Sequence, residues 1–281
     1  TPVAVNDWVM EKRSLTSGAL DTGFDTDGVL TGLTDGMAND VVLDIPNNHV
    51  YIAGDAGSSR TIEKRLMTTG AYVTAFDTDG YAQVSGGTYN GLAMEGTSLY
   101  AAGGDGSDLV VQKYVASSGA LDATFGTAGT ATAAGVTTAA FGIAIGNDYI
   151  FTAGHSSTDW YLEKRSKGSG LIVRGFGSEG SITGASATDI PYGGVLLDED
   201  YLYIVGTTVL SSVRYQYVEK RARSSGGLDE RNGVRMLCYQ DYPNNGNAAT
   251  CDSDPPHDDI ARFDMTDPSR LFVGLSSFAF A

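Results

Sequence analysis

Carboxylates recur in this chain just ahead of an aromatic-rich segment, at Asp44, Glu95, Asp198 and Asp264. Two carboxylates in unlike environments, one of them kept protonated, would cleave a glycosidic bond by acid–base chemistry. The third copy of this position is Gly146, and the remaining acids share equivalent surroundings, so repeated turn residues are the favoured reading. Asp25-Thr26-Asp27-Gly28 and Asp77-Thr78-Asp79-Gly80 read as fragments of a calcium loop, where alternating carboxylates hold a hard cation. The later copies, Gly126–Gly129 and Gly177–Gly180, lose the carboxylate pair, and no bidentate Glu follows at the required distance. An Asp/Gly turn needs only a positive φ, so no resident cofactor is expected, with calcium the weaker alternative. His49, His155 and His257 fall at non-equivalent places without metal-ligand spacing, which argues against zinc.

One segment escapes the regularity described below. It runs over about 237–259 and carries Tyr239, Asp241, Tyr242, His257, Asp258 and Asp259 between prolines and asparagines. Tyr and Asp there would stack on and hydrogen-bond a sugar, chelate a cation or dock a protein, because loops carry function on a rigid scaffold. Cys238 and Cys251 flank its first half. A disulfide between them would staple a loop that lacks a core of its own; two free thiols, or a partial metal site with His257, are the alternatives.

The elements that must position these residues are written about five times. Lys12, Lys64, Lys113, Lys164 and Lys220 stand at intervals of 49 to 56 residues, each followed by a Gly at the same short distance. Phe24, Phe76, Phe125 and Phe176 come next, then a further Gly. A period near fifty residues made of short strands is the mark of propeller blades. Each unit divides into four strand-like pieces, in the first full copy Asp40–Ile45, His49–Gly54, Arg60–Met67 and Gly80–Gly86. The first piece is small and apolar, suited to a crowded inner strand; the third alternates, with Met10, Ile62, Val111, Leu162 and Val218 inward. The Glu-Lys-Arg triplets of that piece place charges on alternating faces, and cross-strand ion pairs on the rim are expected of them.

The chain opens on a third and a fourth strand, Asp7–Arg13 and Gly28–Gly32, and ends on a first and a second, Ile260–Met265 and Arg270–Gly274. The two halves would complete each other. The expected architecture is therefore all-β: a five-bladed β-propeller of four-stranded antiparallel blades, a single domain over 1–281, closed by the N-terminal strands.

A formal charge of −16 argues against nucleic acid or an anionic membrane as partner. No stretch is long and apolar enough to span a bilayer. The start at Thr1-Pro2-Val3 reads as a mature secreted chain whose signal peptide has been removed, which places the protein outside the cell or on its surface.

The phrase Lys113-Tyr114…Gly119-Ala120-Leu121-Asp122-Ala123-Thr124-Phe125-Gly126-Thr127-Ala128-Gly129 and its copy from Lys12 to Gly28 resemble the delta-60 repeat family of bacterial and archaeal propellers. The fifth copy, Gly227-Leu228-Asp229-Glu230-Arg231-Asn232-Gly233, has lost the Phe. The resemblance implies a secreted or cell-surface propeller and brings no active site. Together these readings point to a non-catalytic binding or structural subunit that contacts a protein assembly or a glycan. The alternative is a carbohydrate-active hydrolase with carboxylates at the mouth of the propeller axis.

Overall fold

The computed structural model describes residues 7–33, 35–133, 139–156, 159–184, 194–210, 213–229 and 234–238, with the backbone alone at 156, 207–210, 213–217 and 234–238. Every described strand belongs to one of five antiparallel sheets. Sheet I pairs β1 (Val9–Glu11) with β2 (Val29–Thr31). Sheet II runs in simple meander order through β3 (Gly36–Asp44), β4 (His49–Ala56), β5 (Ser59–Leu66) and β6 (Tyr81–Ser85). Sheet III repeats it with β7 (Thr88–Glu95), β8 (Ser98–Gly104), β9 (Leu109–Val115) and β10 (Thr130–Ala133). Sheet IV holds β11 (Ala140–Ile145), β12 (Tyr149–Ser156), β13 (Asp159–Ser166) and β14 (Ser181–Thr183). Sheet V holds β15 (Val195–Leu197), β16 (Tyr201–Leu210), β17 (Val213–Ala222) and β18 (Val234–Cys238).

Four sheets thus have the four-stranded form expected of blades, and sheet I has the expected third and fourth strands. Ile260–Met265 and Arg270–Gly274 lie outside the described residues. The only described helical turn, Ile45–Asn47, contains a proline and ends the expected inner strand one residue early, while β3 begins at Gly36, ahead of the expected Asp40. Among the described residues no helix is long and apolar enough to cross a membrane.

The repeat has one packing unit. Its second-strand aromatic meets its Phe edge to face: Tyr51 with Phe76 at 5.9 Å, Tyr100 with Phe125 at 6.0 Å, and Phe151 with Phe176 at 5.8 Å. The repeat lysine lies over this pair, Lys64 at 5.2 and 5.8 Å from its two rings and Lys164 at 5.5 and 5.6 Å. Edge-to-face rings under a cation gain electrostatic energy beyond their burial, which explains why an aromatic, a Phe and a Lys recur together. Ile62, Val111 and Leu162, the expected inward residues of the third strands, are fully buried.

Neighbouring sheets meet along a seam that also repeats. Asp25, Asp77, Gly126 and Gly177 donate their backbone N–H to Thr69, Ser118, Ser169 and Ser225 of the following repeat, at 2.8–2.9 Å. At the inner strands, Gly91, Gly142 and Gly194 allow backbone-to-backbone contact, since a Cβ on Gly142 would come 2.6 Å from the Gly194 Cα. Bulges beside these glycines turn Asn39 and Asn90 toward the next sheet, where they donate to the Tyr89 and Ala140 carbonyls at 2.8 Å.

The Glu-Lys-Arg triplets pair along one segment rather than across strands, on the exposed surface at Glu11 and Arg13 but in the interior in later copies. Glu63, Lys64, Arg65, Glu163, Lys164 and Arg165 are all buried. Residues two apart on a strand share a face, so Glu63 pairs with Arg65 at 2.7 Å and Glu163 with Arg165 at 2.6 Å within one strand. The pair faces the preceding sheet: Glu63 accepts the Leu33 N–H, and Arg165 donates to the Thr132 carbonyl at 3.1 Å.

Candidate functional site

Tyr239, Asp241, Tyr242, His257, Asp258, Asp259 and Cys251 lie outside the described residues. Cys238 ends β18, where the backbone alone is described, so the expected disulfide and insertion site fall outside as well.

The described acids ahead of the second strand are engaged one by one in local structure. Asp44 is buried and accepts both its short bonds from Asn47 Nδ2, at 3.0 and 2.9 Å. His49 Nδ1 stands 3.8 Å from Asp44, beyond hydrogen-bond reach, and burial followed by the Lys64 charge depresses the imidazole pKa. Glu95 pairs across the seam with Lys167 at 2.6 Å. Asp198 is opposed by burial yet held below the usual carboxylate range by the Tyr203 hydroxyl and the Tyr201 and Asp200 N–H groups. Asp198 is thus held away from the protonated state a general acid needs. The carboxyl that burial does raise is Asp40, on an inner strand, and it is capped by the Leu92 and Val41 N–H groups at 2.7 and 2.8 Å.

Asp25–Gly28 and Asp77–Gly80 form turns with positive φ at Asp25, Gly28, Asp77, Thr78 and Gly80. Asp27 and Asp79 use a carboxylate oxygen to accept the N–H of Val29 and Tyr81, the first residues of the outer strands. Among the described residues no group of three His, Cys, Asp or Glu gathers to hold a metal. His155 stacks on Phe141 at 5.4 Å, away from any equivalent of His49.

Two clefts escape the sequence reading. One, of about 840 Å³, opens between the outer strand of sheet III and the third strand of sheet IV. The other, of about 480 Å³, opens at the same place between sheets IV and V. Their walls correspond position by position: Thr127 with Ser178, Thr130 with Ser181, Thr132 with Thr183, and Arg165 with Arg221 on the floor. Arg165 is held by Glu163 through Nε and Nη2 at 2.6 and 2.9 Å, and Arg221 by Glu219 at 2.7 Å. Earlier seams differ at this position. Tyr72 lies flat on Arg65 at 3.6 Å, and the sheet III residue is Tyr114, buried and bonded to the Tyr89 hydroxyl at 2.6 Å. The signal in the sequence was the hydroxyl pair Thr130/Thr132 and its echo Ser181/Thr183, which reads as an ordinary solvent-facing edge.

The fold and seams define an all-β repeat protein of four-stranded antiparallel sheets. No protein-family model matches the chain, and no curated protein is significantly similar to it.

Proposed function

We propose that this chain is a non-catalytic, extracellular binding or structural subunit, built as a five-bladed propeller of the delta-60 repeat type. The observation that carries the reading is the repeated seam. Four successive junctions use the same backbone bond at 2.8–2.9 Å, so the sheets repeat at a fixed spacing, the geometry that multivalent contact requires. The acids at the hairpins support it too, because Asp44, Glu95 and Asp198 serve turns and seams.

Closure of the ring by Ile260–Met265 and Arg270–Gly274 is supported by what sheet I leaves open. Among the described residues β1 is paired on one edge only, whereas every other third strand has partners on both. Val41 and Leu43 on β3 stand half exposed, at 48% and 54%, on the side that faces this sheet. Within this reading the 237–259 insertion, with a Cys238–Cys251 disulfide, is a second contact surface on the face of the ring.

Mild isolation of the full chain from its native source, followed by identification of what travels with it, tests the proposal. A stoichiometric protein or polymer partner supports a subunit role. A clean monomer that turns over glycosidic substrates would replace it with the hydrolase reading.

A further inference from the structure

The two rim clefts combine three features that together define a ligand chemistry. The first is a strand edge that is already occupied. At the mouth of the larger cleft, Thr127 and Thr130 exchange both backbone bonds, at 2.7 and 3.1 Å, and the Thr132 carbonyl accepts from Arg165. Ser178 and Ser181 exchange the same two bonds in the smaller cleft, at 2.8 and 3.1 Å. An extended peptide adding to the sheet would need the backbone groups of Thr130 or Ser181, so strand addition loses its first pairing at both clefts.

The second feature is a floor whose charge is already balanced. The Arg165 guanidinium is clamped by Glu163 through two bonds and spends a third on the Gly170 carbonyl at 3.0 Å; Arg221 likewise donates to Gly226 at 2.8 Å. A chain of charge −16 with its cleft cations neutralised offers an anion no electrostatic gain. The third is the wall. Thr127 and Thr132, like Ser178 and Thr183, are exposed hydroxyl residues in register; in the larger cleft Leu171 adds an apolar surface that is 68% exposed, where the smaller cleft has Gly227 and only Ile182 as an apolar wall. Hydroxyls that both donate and accept, beside a small apolar face, match a neutral molecule with many hydroxyls and a C–H face.

We propose that these clefts are two corresponding binding sites for neutral oligosaccharides, one repeat apart, the larger and more apolar one between sheets III and IV being the tighter. This rests on the binding-subunit reading and names its ligand class. Two sites on one rigid rim would engage a polymer by avidity, since the second contact becomes intramolecular.

The test is an array of neutral and sialylated oligosaccharides probed with the full chain, then calorimetric titration with the strongest neutral oligosaccharide. The expected result is neutral binding with two sites per chain. Thr132→Trp, which fills the larger cleft from an exposed position, should leave one site, and adding Thr183→Trp should leave none, with unchanged melting temperatures. A silent array, preference for sialylated sugars, or two sites surviving in the double variant would overturn the proposal. A silent array alongside a protein partner in the native isolation sinks the carbohydrate assignment alone. Hydrolysis of the neutral oligosaccharide would sink the non-catalytic reading instead.

Discussion

Phe125 and Gly170 belong to successive repeats, and their contact sets how closely the two sheets approach. A methyl group on Gly170 would come 3.1 Å from the Phe125 ring and 3.0 Å from the Gly126 nitrogen. The same relation joins Phe76 to Gly119, at 3.2 Å, and more loosely Phe24 to Gly70, at 3.4 Å. Each Phe is buried beneath the glycine of the next repeat, which explains why the two residue types recur in a fixed phrase.

Gly18, Gly70, Gly119 and Gly170 all have φ between +70° and +75°, so substitution by Ala imposes the same left-handed strain, about 1–2 kcal/mol, at each. What differs is the space. Among the described residues nothing lies within 4 Å of a new Cβ on Gly18. Gly18→Ala should therefore show the strain alone, Gly70→Ala little more, and Gly119→Ala and Gly170→Ala roughly 1–3 kcal/mol more through overpacking at the seam. Denaturant unfolding of the four variants gives the order directly, and equal losses would mean that the seam yields without cost.

The lysines should divide by the residue nine positions on. Lys113 pairs with Asp122 at 2.8 Å, while Lys64 and Lys164 face Val73 and Val173 and donate to carbonyls of the following sheet. Burial, with Asp44 opposing it, lowers the Lys64 pKa; for Lys113, burial acts the same way but Asp122 outweighs it and raises the pKa. Lys64→Met should change stability little, because removal of a buried charge offsets the lost ring contacts and the Ala116 carbonyl keeps the Tyr51 hydroxyl at 2.9 Å. Lys113→Met should cost about 1 kcal/mol by stranding Asp122. A folded pKa below 10.5 also means that wild-type stability rises as pH climbs from that folded value toward 10.5, and Lys64→Met should flatten part of this rise. Thermal melts at neutral and alkaline pH read both effects, and a larger loss from Lys64→Met than from Lys113→Met would refute the division.

Acid should weaken the same pair. Hydrogen bonds from Lys113 and Thr124 hold Asp122 at a pKa of about 2, below its ordinary 3.8. The folded value is the lower one, so this stabilisation is complete above the unfolded pKa and disappears as pH falls from about 4 to about 2. Asp122→Asn should melt lower than the wild type at pH 5, and the gap should close by pH 2. A gap that stays constant across this range would show that ionisation of Asp122 does not contribute.

The repeated phrase made much of the fold legible, because Lys, Gly and Phe recur where one packing unit needs them. Ile62 and Leu162 could be set inward from alternation alone, and both are fully buried. Alternation also put Glu63 and Arg65 on one face, but that face is covered by the preceding sheet, which no local pattern reveals. Charges were assigned to the rim for that reason. The clefts were illegible on similar grounds: Thr130 and Thr132 read as an exposed edge until the Arg165 floor of the next repeat closes beneath them. Asp44 and Asp198 were legible as turn residues, since their spacing follows the hairpins they stabilise, whereas Glu95 at the same place reaches across the seam to Lys167, which no local pattern shows.

The closing of the ring can be tested on the strand that lacks a neighbour. Val41 and Leu43 are 48% and 54% exposed, and Val9 on β1 is 51% exposed, although the residues opposite on β4, Val50 and Ile52, are buried. In the later inner strands the corresponding surface meets a preceding sheet. If Ile260–Met265 and Arg270–Gly274 cover this face, Val41→Lys and Leu43→Lys place a charge in a closed interface and each should cost about 2 kcal/mol or more. If the face stays open, each change is a surface substitution worth within about 0.5 kcal/mol. Leu15→Lys is the control, since Leu15 is fully exposed and should be neutral in both cases. Truncation after Cys238 discriminates further: with the covering strands gone, the lysine variants should lose their penalty, and the truncated chain should bind a hydrophobic dye or self-associate through β1. Penalties that survive truncation would assign the cover to some other segment.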